Sequence, residues 1–255
     1  MIATLPMYDW PQNAAANDRL WALMRAALTD EGFAAPAELT REGDLYEIWT
    51  SPDLILGQTC GMPFRMRLHD RTELVATPDY GLTGLPPGQY CSVVVTRAGE
   101  PGEIADFIDR TLAYNTPDSQ SGWAAPQNHV AGAGQCFTRT LETGAHRESA
   151  RAVAEGRADI AAIDAVTWRM IETYLPDLAR QLRIVGTTAP TPGLPLITAK
   201  GRDANAVARA ASVAIGRLLP KDRAVLGLKG LITIPASAYL GIATPPPPAQ
   251  VAPLN

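Results

Sequence analysis

Ser119-Gln120-Ser121-Gly122 places two hydroxyls directly in front of a glycine. The apolar stretch Thr111–Asn115 precedes it and a helical pattern over 122–134 follows, so the segment reads as the turn between a strand and a helix. Unpaired backbone N–H groups gather at a helix start. Two hydroxyls beside them add donors, and the combination suits an anionic or hydrogen-bonding ligand group. Ser119 or Ser121 acting simply as an N-cap is an equal reading. Thr143-Gly144-Ala145-His146-Arg147-Glu148 is a second helix start of the same kind. Its small-residue turn at Gly144 offers donors, and His146 adds an imidazole whose charge follows pH near neutrality. The plainer alternative there is a capped helix with a solvated histidine.

Asp164 and Trp168 stand four residues apart on one helix face. An acid beside an indole holds an ammonium group by charge and cation–π contact. Tyr8-Asp9-Trp10 is a second acid-plus-aromatic group. Each group alone is also explained by an Asp cap and a half-buried aromatic ring. Together with the serine turn they describe a site with anion donors and cation acceptors, suited to an oxyanion, an amine or a small zwitterion. Thr59 and Cys60, in Gln58-Thr59-Cys60-Gly61, follow another strand and join the candidate ligand residues. Cys60 has no assignable base near it in sequence, and an inert buried thiol accounts for it. No catalytic residue is assigned.

The elements that position these residues alternate along the chain. Ile2–Leu5, Leu54–Gly57, Glu73–Ala76, Tyr90–Thr96, Thr111–Asn115, Asp159–Ile163 and Arg183–Thr187 read as strands. Leu20, Leu23, Met24, Ala27 and Leu28 make one helix face ending at Gly32, and His146–Glu155, Asp164–Tyr174 and a face running from Val207 to Leu218 are further helices. Strands alternating with helices predict an α/β fold with mainly parallel sheets. In such sheets ligands sit beyond the carboxyl ends of strands, which is where the candidate residues fall. Two Gly/Pro-rich passages, 81–88 and 186–195, bracket a middle block. They predict a discontinuous first lobe of residues 1–88 and 189–255 with an inserted lobe of residues 89–188, a hinge at the crossings and the ligand between the lobes. One doubly wound domain with two ordinary loops is the alternative. The tail from Pro245 is expected to be extended and loosely held.

Composition excludes several classes. The 255 residues carry a net charge of −4, too little positive field for nucleic acid. No apolar run is long enough to cross a membrane. Three widely spaced cysteines give neither a disulfide framework nor a zinc pattern. No P-loop, GxGxxG or HExxH motif occurs, so neither a cofactor nor a metal is expected.

Leu5-Pro6-Met7-Tyr8-Asp9, Gln58-Thr59-Cys60-Gly61, the run from Asn115 to Gly122 with its S-x-S-G, and above all TGAHRESARAVAEGRADIAAIDAVTW over 143–168 carry a family likeness. With them the chain resembles the PhnD-like substrate-binding proteins of phosphate/phosphonate-type ABC transporters, type 2 periplasmic binding proteins, over most of residues 1–230. The resemblance implies two lobes closing about a hinge on a small ligand, and a permease as partner. It places the phosphonate grip on Ser119, Ser121 and Gly122, the first-strand pocket on Tyr8, helix-start donors on Gly144 and His146, and the acid facing a ligand amine on Asp164. The aromatics Tyr8, Trp10, Trp123 and Trp168 point to an organic ligand rather than bare phosphate. The family is periplasmic, whereas Met1–Pro6 lacks the basic and apolar regions of a secretory signal, so a cytoplasmic location is the competing expectation. A cytosolic biosynthetic enzyme or a ligand sensor on the same fold is the alternative function, with Asp9, Asp164 and His146 as its acid/base candidates.

Overall fold

The computed structural model describes residues 1–248. Its strands are β1 (Ile2–Thr4), β2 (Leu54–Gln58), β3 (Thr72–Asp79), β4 (Gln89–Tyr90), β5 (Ser92–Arg97), β6 (Leu112–Tyr114), β7 (Thr140–Glu142), β8 (Ile160–Asp164), β9 (Leu182–Thr187), β10 (Thr191–Pro192), β11 (Leu196–Ala199) and β12 (Gly230–Ile232). The helices are α1 (Ala14–Asp30), α2 (Leu45–Trp49), α3 (Gly61–Pro63), α4 (Ala125–Ala131), α5 (His146–Ala154), α6 (Ala165–Tyr174), α7 (Pro176–Ala179), α8 (Ala204–Arg217), α9 (Pro220–Leu226) and α10 (Ala236–Leu240). The chain forms two compact units. Unit 1 is Met1–Gln89 with Pro192–Gly241, and unit 2 is Tyr90–Thr191 with the segment that starts at Ile242.

The crossings fall at 89/90, just after the first Gly/Pro-rich passage, and at 191/192, inside the second. The C-terminal segment, expected in the first lobe, instead belongs to unit 2. Two side chains of unit 2 hold it. Trp123 donates its indole N–H to the Pro246 carbonyl at 3.0 Å, and Asn128 donates to the Ala243 carbonyl at 2.9 Å. The tail through Pro248 is therefore anchored rather than loose. Residues 249–255 lie outside the described residues.

Unit 1 is a five-stranded sheet in the order β1-β2-β11-β3-β12. One face is covered by α1 and α8. The α1 residues Leu20, Trp21, Met24, Ala27 and Leu28 are buried in one cluster with Val207, Ala210, Ala211 and Ala214 of α8. Alanines along α8 present little side chain, so the two helix backbones approach closely. The other face packs Trp49, Leu54, Phe64, Leu68, Ile197 and Tyr239 together. A sheet covered on both faces reads as near-continuous apolar runs rather than alternation, and β2 is buried throughout.

Unit 2 is a five-stranded sheet in the order β7-β6-β8-β5-β9. Its centre, β8, is buried along its whole length. The expectation of mainly parallel sheets needs correction. β6 pairs in parallel with both β7 and β8, but β5 lies antiparallel between β8 and β9. β11 is likewise antiparallel to β2 and β3 in unit 1. A parallel neighbour requires a crossover of a dozen or more residues, usually helical. β5 and β11 are entered directly from the short strands β4 and β10, with no helix in between. Between β5 and β6 the chain makes only a short 3₁₀ turn, Ile104–Phe107.

Candidate functional site

The serine turn begins where β6 ends. Ser119 is the N-cap of an irregular helical turn, Gln120–Ala124, and its Oγ accepts the Gly122 N–H at 2.9 Å. The turn is π-helical: the Ala124 N–H reaches back five residues to the Ser119 carbonyl at 3.0 Å. π turns occur mostly as single insertions and often at functional sites. With its lone pair engaged by Gly122, Ser119 Oγ keeps its own proton to donate. The Ser121 carbonyl is fixed by the Ser92 hydroxyl of β5 at 2.8 Å. Ser121 Oγ meets His146 Nε2 at 2.8 Å.

His146 is the first residue of α5. Burial lowers its pKa to about 4, only partly opposed by the Ala162 backbone. The imidazole is therefore neutral near pH 7, which corrects the expectation of a charge that follows pH there. Its Nδ1 is buried without a well-formed hydrogen bond among the described residues. The N-cap of α5 is Ala145, which supplies no side-chain bond to the first turn. An alanine cap leaves the first N–H groups without a side-chain acceptor, and the one acid of the first turn, Glu148, is paired with Arg151.

The small-residue turn before α5 works differently from expectation. Gly144 takes a φ of +81°, a conformation open to glycine. Its N–H donates to the Asn115 carbonyl at 2.8 Å, so Gly144 shapes the turn and its own donor is spent. Asn115 itself enters the cluster. Its Oδ1 is buried with no partner among the described residues. A Cβ on Gly122 would lie 2.0 Å from that oxygen and 3.2 Å from His146 Cε1. Only glycine fits at 122. Ser119, Ser121, Gly122, His146 and Asn115 thus form one cluster of neutral polar groups around an uncapped helix start.

Asp164 ends β8 and caps α6: its Oδ1 accepts the N–H groups of Val166 at 2.8 Å and Thr167 at 3.0 Å. That is the cap reading, and it satisfies part of the carboxylate internally. Trp168, one turn along α6, is buried, and its Nε1 has no partner among the described residues.

In unit 1 the expected residues divide. Tyr8 packs edge-on against Tyr80, ring centroids 4.9 Å apart at 79°. Gln58 Nε2 donates to the Tyr80 hydroxyl at 3.1 Å. Thr59 is fully buried with its Oγ1 unpartnered among the described residues, and Cys60 is a half-buried cysteine outside any disulfide, capping α3. Asp9 departs from expectation. Its carboxylate pairs with Arg41 at 2.6 Å and accepts from Asn17 at 2.9 Å, so a cation already occupies it. The Trp10 N–H donates to Asn13 Oδ1 at 2.8 Å, and Asn13 in turn holds the Tyr8 carbonyl, which ties this stretch to the start of α1. Tyr80 and Asn115 were not singled out as site residues from sequence. The signal was available for Asn115, at the carboxyl end of the strand read over 111–115, where ligands collect; Tyr80 follows β3 only at its observed end, Asp79. Among the described residues no group of His, Cys, Asp and Glu is arranged to hold a metal.

The family model for the periplasmic substrate-binding protein of phosphonate ABC transporters matches residues 56–233. The chain belongs to this family. The match spans the serine turn, α5 and β8 of unit 2 together with the unit 1 residues from β2 onward. Comparison with curated protein sequences finds no match. Among solved structures, PhnD1 of Prochlorococcus marinus in complex with methylphosphonate superposes with a TM-score of 0.69 at 16% identity, over 90% of this chain and 92% of that one. A binding-protein component of a Pseudomonas aeruginosa phosphonate transporter gives 0.67 at 19%, over 91% and 80%. XAC2383 of Xanthomonas citri, bound to chloride, gives 0.66 at 18%, over 90% of each chain. These likenesses place the family's two-lobed α/β fold on this chain. As a phosphonate-family substrate-binding protein it is built around a small-molecule ligand, and none of its described helices is long and apolar enough to cross a membrane.

Proposed function

We propose that this protein binds the oxyanion of a small organic phosphonate at the serine turn of unit 2 and releases it unaltered to a membrane permease from the periplasmic side. The observation that carries the reading is the cluster itself: the Ser119 hydroxyl free to donate, the Ser121–His146 pair, and the uncapped start of α5, all in a family of phosphonate-binding proteins. Neutral donors and a helix dipole hold a tetrahedral anion without a counter-cation. A neutral His146 belongs to that design, because it orients Ser121 and adds no charge of its own.

The organic part of the ligand is read as uncharged. The two acids expected to take an ammonium group are engaged, Asp9 by Arg41 and Asp164 by the start of α6. Trp168 offers an indole donor near Asp164. Ser121 and His146 stand at the distance of a nucleophile–base pair, but no acid orients the imidazole at Nδ1 among the described residues and burial leaves it a weak base, so binding without chemistry is the reading adopted.

Isothermal titration with methylphosphonate, 2-aminoethylphosphonate, inorganic phosphate and methylsulfonate tests it, with mass spectrometry of the recovered ligand. Methylphosphonate binding tighter than the amine, and returning unchanged, is the expected result. A preference for 2-aminoethylphosphonate would return an acid to the site, and a converted ligand would replace the binding protein with an enzyme. Fractionation of cells carrying the tagged native gene, with the protein found in the cytoplasm, would remove the transport role.

A further inference from the structure

The C-terminal segment returns to the residue immediately after the serine turn. Trp123 lies within Gln120–Ala124, follows Gly122 directly and is 3% exposed. Its ring leans on Tyr114 at the end of β6, centroids 5.2 Å apart, and its indole N–H ends on the Pro246 carbonyl, 123 residues away in sequence. Five residues past Trp123, Asn128 of α4 donates to the Ala243 carbonyl. Both acceptors are backbone carbonyls of a stretch that runs into Pro245-Pro246-Pro247-Pro248. Consecutive prolines have no N–H to satisfy and preset an extended course, so their carbonyls are free to serve outside partners.

We propose that this segment is a positioning element for the oxyanion site, and that Trp123 is the positioning residue through which it acts. The inference rests on the reading of the serine turn as that site. A π turn lacks the regular hydrogen-bond ladder that holds a helix start rigid. Ser119 and Ser121 must nevertheless be presented in one geometry, because Gly122 leaves no space for adjustment against Asn115 and His146. The indole, clamped between Tyr114 and the tail, is the anchor that fixes the turn from behind. Trp123 touches no ligand in this scheme; it sets where the two hydroxyls stand.

The test is a double-mutant cycle in the full chain. Trp123→Phe keeps the ring and removes the N–H, and the triple change Pro245→Gly, Pro246→Gly, Pro247→Gly loosens the acceptor segment. Each variant is expected to weaken methylphosphonate binding about three- to tenfold, the scale of one hydrogen bond. The combined variant should lose no more than the weaker single one, because both break the same link. Amide hydrogen exchange over 119–124 should speed up in all three variants without ligand. A tail that merely stabilises the fold would lower Tm and leave both the dissociation constant and that local exchange unchanged, and this result overturns the proposal. Fully additive losses overturn it as well, since they place the two changes on separate routes. If the unaltered protein binds none of the phosphonates, the reading of the site fails by itself, and the exchange at 119–124 still decides whether the tail orders the turn.

Discussion

Each unit turns out of a strand end through the same backbone device and uses it for a different purpose. In unit 1 the segment after β2 contains a π turn, Phe64–Leu68, in which the His69 N–H bonds the Phe64 carbonyl at 2.9 Å. In unit 2 the segment after β6 contains Gln120–Ala124. The unit 1 turn is a packing element: Phe64 and Leu68 are buried, and Phe64 meets Tyr239 with centroids 5.2 Å apart. The unit 2 turn is buried throughout, and beside Trp123 and Ala124 it buries the polar Gln120 and Ser121 with Gly122. Burying hydroxyls is costly unless each finds a partner, and here the partners are a neutral histidine for Ser121 and the Gly122 N–H for Ser119. The acids follow the same division. Asp9 in unit 1 is closed off by Arg41, whereas the unit 2 cluster contains no internal cation among its named partners. The same backbone device buries apolar Phe64 and Leu68 in one unit and hydroxyls in the other.

The comparison breaks most severely at glycine. Gly122→Ala drives a methyl into Asn115 and is expected to weaken methylphosphonate binding by more than about a hundredfold, or about 3 kcal/mol, the upper end for an overpacked site. Its counterpart Gly57→Ala on β2 would meet Leu54 and Trp49 side-chain atoms at 3.3 Å, a contact that small movements relieve. Titration calorimetry on the two variants should show binding lost in the first and kept in the second. The hydroxyls come next. Ser121→Ala should weaken the ligand by about 1.5–3 kcal/mol, as for a hydrogen bond to a charged group. Thr59→Val, which removes a buried hydroxyl that has no partner, should leave stability level or slightly higher by thermal melt. A loss of affinity from Thr59→Val equal to that from Ser121→Ala would overturn the placement of the oxyanion at the serine turn.

A smaller effect concerns pH. The folded pKa of His146, about 4, lies below its ordinary value near 6.5. Between those values the unfolded chain binds a proton that the native state refuses. Stability therefore falls as pH drops from about 6.5 to 4 and is unaffected by this group above 7. Denaturant unfolding of the protein and of His146→Gln across pH 4–8 should differ in slope only in that window, and a His146 ring titrating near 6.5 by NMR would refute it. The smallest effect is expected from Asp9→Asn, which weakens a pair whose Arg41 partner is 40% exposed. A loss of about 0.2–1 kcal/mol of stability with unchanged ligand affinity would keep Asp9 out of the site, and a large affinity loss would restore it.

Much of this was legible in the chain before any coordinates. Most strands and helices named from periodicity recur within one to three residues, whereas α2, α9, α10, β7, β11 and β12 were not read from it, and S-x-S-G and His146 come together in one cluster. What escaped has a common cause. The Asp9–Arg41 pair spans 32 residues and the Trp123–Pro246 bond 123, and local patterning carries no information about which distant partner a side chain meets. Desolvation of His146 depends on what packs over α5, so a free imidazole was the wrong starting point for its charge. The antiparallel settings of β5 and β11 depend on how the chain enters each sheet, which alternation of strand and helix does not encode. Asn115 was different, because it ends the strand read over 111–115 and the strand-end rule pointed to it, whereas the strand read over Glu73–Ala76 stopped short of Tyr80, which follows β3 only at its observed end, Asp79.

The pairing of β5 with β9 has one more consequence. These are the first and last full strands of the 90–191 segment, and they are neighbours, with Val93 opposite Thr187 and the Thr188 N–H on the Ser92 carbonyl at 3.0 Å. The two ends of the segment therefore emerge about one strand spacing apart, ~4.8 Å. A module whose entry and exit are that close can be spliced into a surface turn of another protein without stretching its host, or excised from this one and replaced by a two-residue hairpin. Ser119, Ser121, Gly122 and His146 would all travel with such a cassette, while the Pro246 and Ala243 carbonyls that hold Trp123 and Asn128 would stay behind.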